Sequence, residues 1–413
     1  MNWVATVMQM MGQVLADTFT SPFFLALWGM IMLLVWWQNK RQHRLSASFI
    51  HDYPDYSWQA ALFSSFLGLL GGLAGSILLV FLGIDLGSIS ITALWLTALL
   101  LMMIRPRFIC FAYAAGVIAV CNLVWGVPHT SIPQLIGLVA ALHMIESLLI
   151  LLNGTFHPPV VYIKRHGQLC GGFNLQYFWP LPLLALISVG FPGTTPSLEM
   201  PAWWPLLRDY SSLSGQQVFT IVPVMAVLGY GEICTSRTPA QASRRSALLL
   251  FLFSLLLLAL AVFSVRIPAL LWLAAFFSPL GHELVIWLGM REESRAPLYI
   301  QAAQGVKIME VLRGSSAQKV GIKPGDTLLQ ANGSQIESFV QLQELLRNHR
   351  LPVALRIKRA EHFIAMTWPP GRQRGRDIIP VPEPDTGTYL VWQEDRYFHV
   401  ARLLWRKLKG FLA

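Results

Sequence analysis

The chain has 413 residues, of which 54% are hydrophobic and only 13% are charged, and its formal net charge is +10. Soluble globular proteins usually carry about 25% charged residues, so this composition excludes an ordinary soluble enzyme, a disordered chain and a fibrous repeat. The two parts differ: residues 1–290 hold 12 Lys/Arg and 9 Asp/Glu, whereas residues 291–413 hold 19 and 12. We therefore expect a membrane region followed by a small basic soluble module.

The first 20 residues contain neither Lys nor Arg, so the basic start of a cleavable signal peptide is missing. Trp3, Val7 and Met11 recur at roughly helical spacing. This pattern predicts an uncharged amphipathic helix that lies on the membrane surface.

Residues 21–290 are predicted to form a polytopic α-helical membrane bundle with eight or nine spans, because a crossing helix needs about 20 apolar residues. Trp179–Phe191 is the weakest candidate, since Pro180 and Pro182 open it. The candidate spans are Phe23–Trp37, Trp58–Ile84, Ile89–Ile104, Phe108–Val124, Leu135–Leu152, Trp179–Phe191, Val218–Ile233, Ser246–Val265 and Ile267–Leu288.

Basic residues indicate how this bundle is oriented. Ten of the twelve basic residues before position 290 lie in alternate loops, which is the pattern of cytoplasmic loops. With nine spans, the N-terminus is expected outside the cell and the C-terminal module in the cytoplasm.

Five ionisable side chains within the predicted spans are candidates for function: His143, Glu146, Glu232, His282 and Glu283. They could pair inside the bundle, carry protons or bind a metal; alternatively, they only fix helix packing. The H-E-x-x-H motif of a site-2-type metalloprotease is incomplete, because Ile286 stands where the second His is needed. We therefore expect no catalytic residue, no metal and no cofactor.

The soluble module, residues 291–368, shows alternating strand patterns and one amphipathic helix. Strands are predicted at Val306–Val311, Thr327–Ala331, Val353–Lys358 and Phe363–Trp368, and Ser338 can cap a helix that runs to about Arg347. The run G-S-S-A-Q-K-V-G-I-K-P-G-D, from Gly314 to Asp326, resembles the permuted PDZ domain of bacteria, a small α+β fold. Gly321 and Gly325 suit turns with positive φ, and Asp326 can accept hydrogen bonds from backbone amides.

The PDZ resemblance implies that an extended peptide binds between a strand near residue 298 and the helix. The usual glycine-containing loop for a terminal carboxylate is absent, so an internal peptide or a folded partner is an open alternative. Leu342 and Leu346 could equally belong to the core. The implied groove residues are Leu298, Tyr299, Ile300, Gln301, Phe339, Leu342 and Leu346.

Residues 369–388 are rich in Pro, Gly and charge, which predicts a flexible linker. Residues 389–413 are predicted to form a basic amphipathic helix whose Arg402, Arg406 and Lys409 contact the anionic membrane surface. The alternative is that this helix packs on the PDZ domain. No nucleic-acid-binding fold is indicated.

Along the whole chain, three local features resemble the MinJ family of cell-division topology proteins of Gram-positive bacteria: Glu146–Ile150 leading to Asn153-Gly154-Thr155, Trp179–Pro182, and Ser278–Glu283 before a C-terminal PDZ domain. This resemblance implies a non-enzymatic membrane adaptor, enriched at the septum and poles, that bridges a DivIVA-like coiled-coil protein to a MinD-like ATPase.

Two alternatives to the adaptor remain open. One is a membrane enzyme or transporter subunit whose PDZ domain gates a site around His143, Glu146 and His282. It gains if these side chains converge within metal-binding or hydrogen-bonding distance. The other is a PDZ sensor that delivers substrates to a separate protease.

Overall fold

The structure is a computed structural model and describes residues 3–50, 52–165, 167–189, 200–207, 218–346, 351–371 and 375–391. The chain divides into two compact units. We call Met1–Arg44, Pro54–Pro159 and Phe173–Ala296 the helical unit. We call Leu45–Tyr53, Val160–Gly172 and Pro297–Ala413 the C-terminal unit.

Apolar helices dominate the first 293 residues. They are α1 (Trp3–Thr20), α2 (Pro22–Phe49), α3 (Ser57–Leu82), α4 (Ile91–Ile104), α5 (Phe111–Trp125), α6 (Ile132–Asn153), α7 (Pro239–Ser264) and α8 (Ala269–Glu293). In the described part of the chain, five of them (α2, α3, α6, α7 and α8) are long and apolar enough to cross a membrane. At 14 and 15 residues, α4 and α5 reach only about 21–23 Å, at about 1.5 Å per residue. The predicted membrane helical region is thus confirmed, but its count of eight or nine spans is not.

Two predicted spans are strands instead of helices. The described part of Trp179–Phe191, which ends at Val189, lies in β2 (Gln168–Ser188) up to Ser188, and Val218–Ile233 coincides with β3 (Phe219–Cys234). The two strands pair antiparallel from Phe173↔Cys234 to Ser188↔Phe219. Hydropathy could not reveal this, because an apolar strand and an apolar helix can have the same composition.

The amphipathic helix predicted at the N-terminus exists as α1, but its apolar side packs on the rest of the helical unit. Val7 and Met11 are 5% and 3% exposed and lie in one cluster with Val80, Leu184 and Leu186. The expectation that this face covers the membrane surface is therefore wrong for these two residues. Leu184 and Leu186 of β2 pack against the side of α1 that was expected to face the membrane.

The strands and helix predicted for the PDZ segment are confirmed in the C-terminal unit. The elements are β4 (Val306–Val311), α9 (Ser316–Val320), β5 (Thr327–Ala331), β6 (Ser334–Gln335), α10 (Phe339–Leu345), β7 (Val353–Arg359) and β8 (His362–Trp368). The sheet order is β8-β7-β5-β4-β9, where β9 is Ile378–Pro380, and β6 pairs with β5. Ser338 caps α10 by accepting a hydrogen bond from the Gln341 N–H at 3.2 Å.

The linker predicted at residues 369–388 contains a buried strand, β9 (Ile378–Pro380), which pairs antiparallel with β4. Ile378, Ile379 and Val381 are at most 2% exposed. The linker prediction is therefore wrong for this stretch: its apolar residues complete the sheet, although Pro and Gly around them suggested a loop.

Only the start of the predicted tail helix falls within the described residues. Leu390–Val391 is a short strand, β10, that pairs in parallel with β1 (Val160–Arg165) through Ile163↔Leu390. The helix prediction is therefore wrong at these two positions. Arg402, Arg406 and Lys409 lie outside the described residues.

Candidate functional site

Two of the predicted polar residues converge inside the helical unit. The Cys110 Sγ lies 3.1 Å from His143 Nε2 and 3.5 Å from His282 Nε2. The three ligand atoms all lie within 4.8 Å of one another. Cys110 precedes α5, His143 lies on α6 and His282 on α8, so three helices contribute to what we call the Cys–His–His cluster.

Close packing between α5 and α8 sets the geometry of this cluster. A Cβ on Gly116 would lie 2.4 Å from the Pro279 Cδ, so only glycine permits this approach. The Ser278 hydroxyl donates a hydrogen bond to the Ala112 carbonyl at 2.7 Å. These contacts fix the segment that carries His282 against the one that follows Cys110.

The carboxylate of Glu283, next to His282, is not a member of the cluster. It accepts a hydrogen bond from the Tyr113 hydroxyl at 2.6 Å and pairs with Arg107 at 2.9 Å. The side chain of Glu146 is also not among the ligand-type groups that lie within 4.8 Å of one another. Of the three residues whose convergence would favour the membrane-enzyme alternative, His143 and His282 come together and Glu146 is not part of the group.

Glu232 lies elsewhere, on strand β3, and not at the end of a membrane-spanning helix as predicted. It pairs with Arg237 at 3.1 Å and accepts hydrogen bonds from Ser246 Oγ at 2.7 Å and from the Tyr230 hydroxyl. All of these partners lie around the β3–α7 connection, so Glu232 is held in a structural network.

Cys110 is the cluster residue that sequence reasoning missed as a ligand. Its spacing to the histidines, 33 and 172 residues, carries no local motif. The only available signal is a thiol directly after the basic loop with Arg105 and Arg107, inside an apolar region.

The predicted groove residues on and directly after α10 lie in the core or against it. Leu342 and Leu346 are 0% and 1% exposed and belong to the core cluster of the PDZ sheet, whereas Phe339 packs against it partly buried. Because α10 turns its apolar side to the sheet, both leucines are core residues, as the alternative held. Val340, on the same helix, is 64% exposed.

The strand predicted at Leu298–Gln301 is reduced to a single bridge between Tyr299 and Gly171. Tyr299 is 3% exposed, and its carbonyl accepts a hydrogen bond from the Gly171 N–H at 2.8 Å. The Leu298 carbonyl accepts one from Lys307 Nζ at 3.0 Å, and the Gln301 side chain donates to Gly305 at 3.3 Å. Within the described ranges, these bonds join the segment to Gly171, Lys307 and Gly305, and a groove role for Ile300 stays a prediction.

The segment that borders α10 is the one around β9. The Glu383 carboxylate accepts a hydrogen bond from the Phe339 N–H at 2.7 Å, at the start of the helix. At the other end, a Cβ on Gly375 would lie 3.6 Å from Gln343 and Leu346. Residues 375–383 therefore run antiparallel to α10 and occupy the side of β4 where the groove strand was expected.

The outer edge of β9 is poor in donors for an added peptide strand. The Val381 N–H points to β4, where it donates to the Lys307 carbonyl at 2.9 Å. The alternate positions, Pro380 and Pro382, have no N–H. The Pro380 carbonyl accepts a hydrogen bond from the Tyr162 hydroxyl at 2.9 Å. Backbone pairing by an extended peptide is therefore disfavoured along this edge.

Two comparisons show which known proteins this chain is similar to. Residues 307–359 match the PDZ domain family. The cell division topological determinant MinJ of Bacillus subtilis (strain 168) is 24% identical over 312 residues, which cover 70% of this chain and 75% of that protein. An alignment of this length exceeds everything after residue 290, so the similarity includes a large part of the membrane region.

Proposed function

We propose that this MinJ-like membrane protein with a PDZ domain is a non-enzymatic adaptor in bacterial division-site placement. In this proposal the chain bridges a DivIVA-like coiled-coil protein to a MinD-like ATPase at the septum and poles. The observation that carries the proposal is the similarity to MinJ, because it includes a large part of the membrane region in a chain that also has a PDZ domain.

Tethering gives the adaptor a physical advantage. A protein-binding module fixed to a bilayer confines its partners to the membrane surface, where several weak contacts combine through a high effective concentration. A bridging protein can then hold two partners without a single tight interface.

We place the basic loops and the C-terminal unit on the cytoplasmic side. The paired strands β2 and β3 replace two predicted spans, so the number of membrane crossings falls by two. An even reduction leaves all the other loops on the side first assigned to them. The basic loops after α2, between α4 and α5, and before α7 then still lie on one side. A reporter that is active only in the cytoplasm, fused after residue 413, is expected to be active.

We infer that partners engage exposed side chains of the PDZ domain and do not add a strand to it. Of the seven groove residues first considered, Leu342 and Leu346 are buried in the core and β9 borders the helix in place of Leu298–Gln301. Val340 is the most exposed apolar side chain of α10, at 64%. It therefore replaces the buried leucines as the position to test.

The direct test is crosslinking in native membranes followed by purification of the tagged full chain. The wild type is expected to retain the DivIVA-like and MinD-like proteins, and Val340→Glu to lose at least one of them. Val391→Glu is the matched control, since Val391 is 67% exposed in the same unit and should retain both. Failure of the wild type to retain either protein would contradict the proposed bridge.

The convergence of His143 and His282 favours one second candidate, a membrane enzyme or transporter subunit with an intramembrane site. The carboxylates that such a site would use are not part of the Cys–His–His cluster, which disfavours this candidate. Glu283 is bound by Tyr113 and Arg107, and Glu146 lies outside the cluster. Unchanged division in cells that lack the chain, together with loss of a transport or hydrolysis activity, would favour this candidate over the adaptor.

A further inference from the structure

The Cys–His–His cluster has the donor atoms and the spacing of a metal site. In a tetrahedral zinc site, metal–sulfur and metal–nitrogen bonds of about 2.3 and 2.0–2.1 Å place sulfur and nitrogen about 3.6 Å apart. The Cys110 Sγ lies 3.1 Å from His143 Nε2 and 3.5 Å from His282 Nε2. Both sulfur–nitrogen distances are therefore within a few tenths of an ångström of those around one ion, and the two histidine nitrogens lie within 4.8 Å of each other.

The hydrogen bonds around His143 orient it as a ligand. Its Nδ1 lies 2.7 Å from the Val139 carbonyl, which has no hydrogen to donate, so Nδ1 carries the proton. In the neutral ring, Nε2 then presents its lone pair to the Cys110 sulfur. Metal-binding histidines are commonly oriented in this way, with the other ring nitrogen donating to a carbonyl.

Hydrogen bonding alone does not satisfy the cluster. One thiol proton can serve only one of the two Nε2 atoms that face Cys110. If His282 donates from Nε2 instead, its Nδ1 needs a donor, and among the described residues this buried atom has no hydrogen-bond partner. A cation bound between a thiolate and two neutral imidazoles satisfies all three ligand atoms at once.

Aromatic side chains hold the two histidine rings in place. The Phe253 ring lies edge-on to both His143 and His282, with centroids 5.6 and 5.7 Å apart. Tyr113 contacts the His282 ring at 5.2 Å and anchors Glu283, so α8 is held on both sides of the histidine. An apolar, preorganised setting of this kind is typical of bound metal ions.

We propose that Cys110, His143 and His282 bind one Zn²⁺ ion inside the helical unit. Thiolate and imidazole ligands favour Zn²⁺ or Cu⁺ over Mg²⁺ and Ca²⁺, which prefer oxygen. Binding releases the Cys110 thiol proton and links the start of α5 to α6 and α8. Three protein ligands leave the fourth position of the tetrahedron to an exogenous ligand. This site is independent of the adaptor proposal.

The first experiment measures metal content of the purified full chain in detergent after incubation with Zn²⁺ and dialysis. One zinc per chain is expected for the wild type and for Cys121→Ser, whose half-buried thiol lies outside the cluster. Cys110→Ser and His282→Gln are expected to lose it. Wild-type protein with no more zinc than Cys110→Ser, or binding of Cu⁺ with none of Zn²⁺, would overturn the zinc assignment.

The second experiment needs no variant and therefore does not depend on mutant folding. Alkylation of each cysteine by an uncharged maleimide is followed by peptide mass spectrometry of the native chain, with Zn²⁺ and with chelator. Zn²⁺ should slow alkylation of Cys110 at least tenfold and leave Cys121 unchanged, and the chelator should reverse the effect. Equal Cys110 rates in both conditions would overturn the proposal.

Discussion

The Leu184 backbone N–H donates a hydrogen bond to the Ser76 hydroxyl at 2.8 Å, and this bond joins an outer edge of a strand to a helix. A strand edge buried among apolar helices normally leaves unpaired backbone donors, each of which costs free energy. Along the outer edge of β2, alternate residues either have no N–H or donate it to a side chain. Pro180 and Pro182 have no N–H, and the Ser188 N–H donates to the Asp85 carboxylate at 3.0 Å.

Replacing Ser76 with Ala should lower the free energy of unfolding by about 1–3 kcal/mol, because the buried Leu184 N–H loses its acceptor. The measurement is the thermal or denaturant midpoint of the purified full chain in detergent. Ser48→Ala is the control, since its exposed hydroxyl only bonds the Leu45 carbonyl of its own helix. Equal midpoints for the two variants would show that the Ser76 bond is dispensable.

Replacing Gly72 with Ala should be destabilising by about 1–3 kcal/mol through overpacking. A Cβ at this position would lie 2.4 Å from the Pro182 carbonyl oxygen, a backbone atom that cannot swing away. Gly29→Ala is the matched control on α2, with no atom within 4 Å of its new Cβ, and should be neutral or slightly stabilising. A Gly72 variant as stable as the Gly29 variant would contradict the close approach of β2 to α3.

Replacing Asp377 with Ala should loosen the segment around β9 in the C-terminal unit. The carboxylate accepts hydrogen bonds from the Ser316 and Ala317 N–H groups at 2.9 and 3.2 Å, at the start of α9. We expect a loss of about 1–3 kcal/mol and faster protease cleavage between residues 375 and 391. Asp385→Ala, at an exposed position, should cleave at the wild-type rate. If the Asp377 variant is cleaved at the wild-type rate, the Asp377 bonds do not hold this segment, and the flexible linker predicted from sequence is favoured again.

The pH dependence of stability should contain a contribution from Glu310. Burial raises the pKa of this carboxyl from 4.5 to about 7. Between these values the folded state binds the proton that the unfolded state has released, so stability falls as pH rises from about 4.5 to about 7. Glu310→Gln should gain more stability at pH 8 than at pH 5 relative to the wild type.

The control for Glu310 is Glu361→Gln, whose carboxylate is 89% exposed beside Lys358. Its difference from the wild type should not change with pH in this way. The measurement is the denaturation midpoint at the two pH values. A Glu310 variant whose difference from the wild type is the same at both would contradict the raised pKa.

The PDZ segment was the part that sequence could predict best, because its signals are local. Gly321 and Gly325 have φ of +95° and +93°, and Asp326 accepts a hydrogen bond from the Lys323 N–H at 2.8 Å, as their types indicated. These turn conformations and the Lys323–Asp326 bond each involve residues only a few positions apart, although the Asp326 carboxylate also accepts hydrogen bonds from the distant Arg359 at 2.7 Å. Composition and turn chemistry were therefore sufficient.

The features that sequence did not predict depend on distant partners. Val218–Ile233 is apolar enough for a span, but its pairing with β2 made it a strand. Ile378 and Ile379 are buried because they pair with the free edge of β4, although the Pro and Gly residues around them suggested a linker. Cys110 is recognised as a candidate metal ligand only in the structure, where α6 and α8 place His143 and His282 beside it.

The most direct test of the adaptor account is the position of a functional fluorescent fusion of the full chain in its native cell. The account predicts enrichment at division sites and poles, lost when the DivIVA-like protein is removed, and misplaced division when the chain itself is deleted. A uniform membrane signal with normal division after deletion would contradict it.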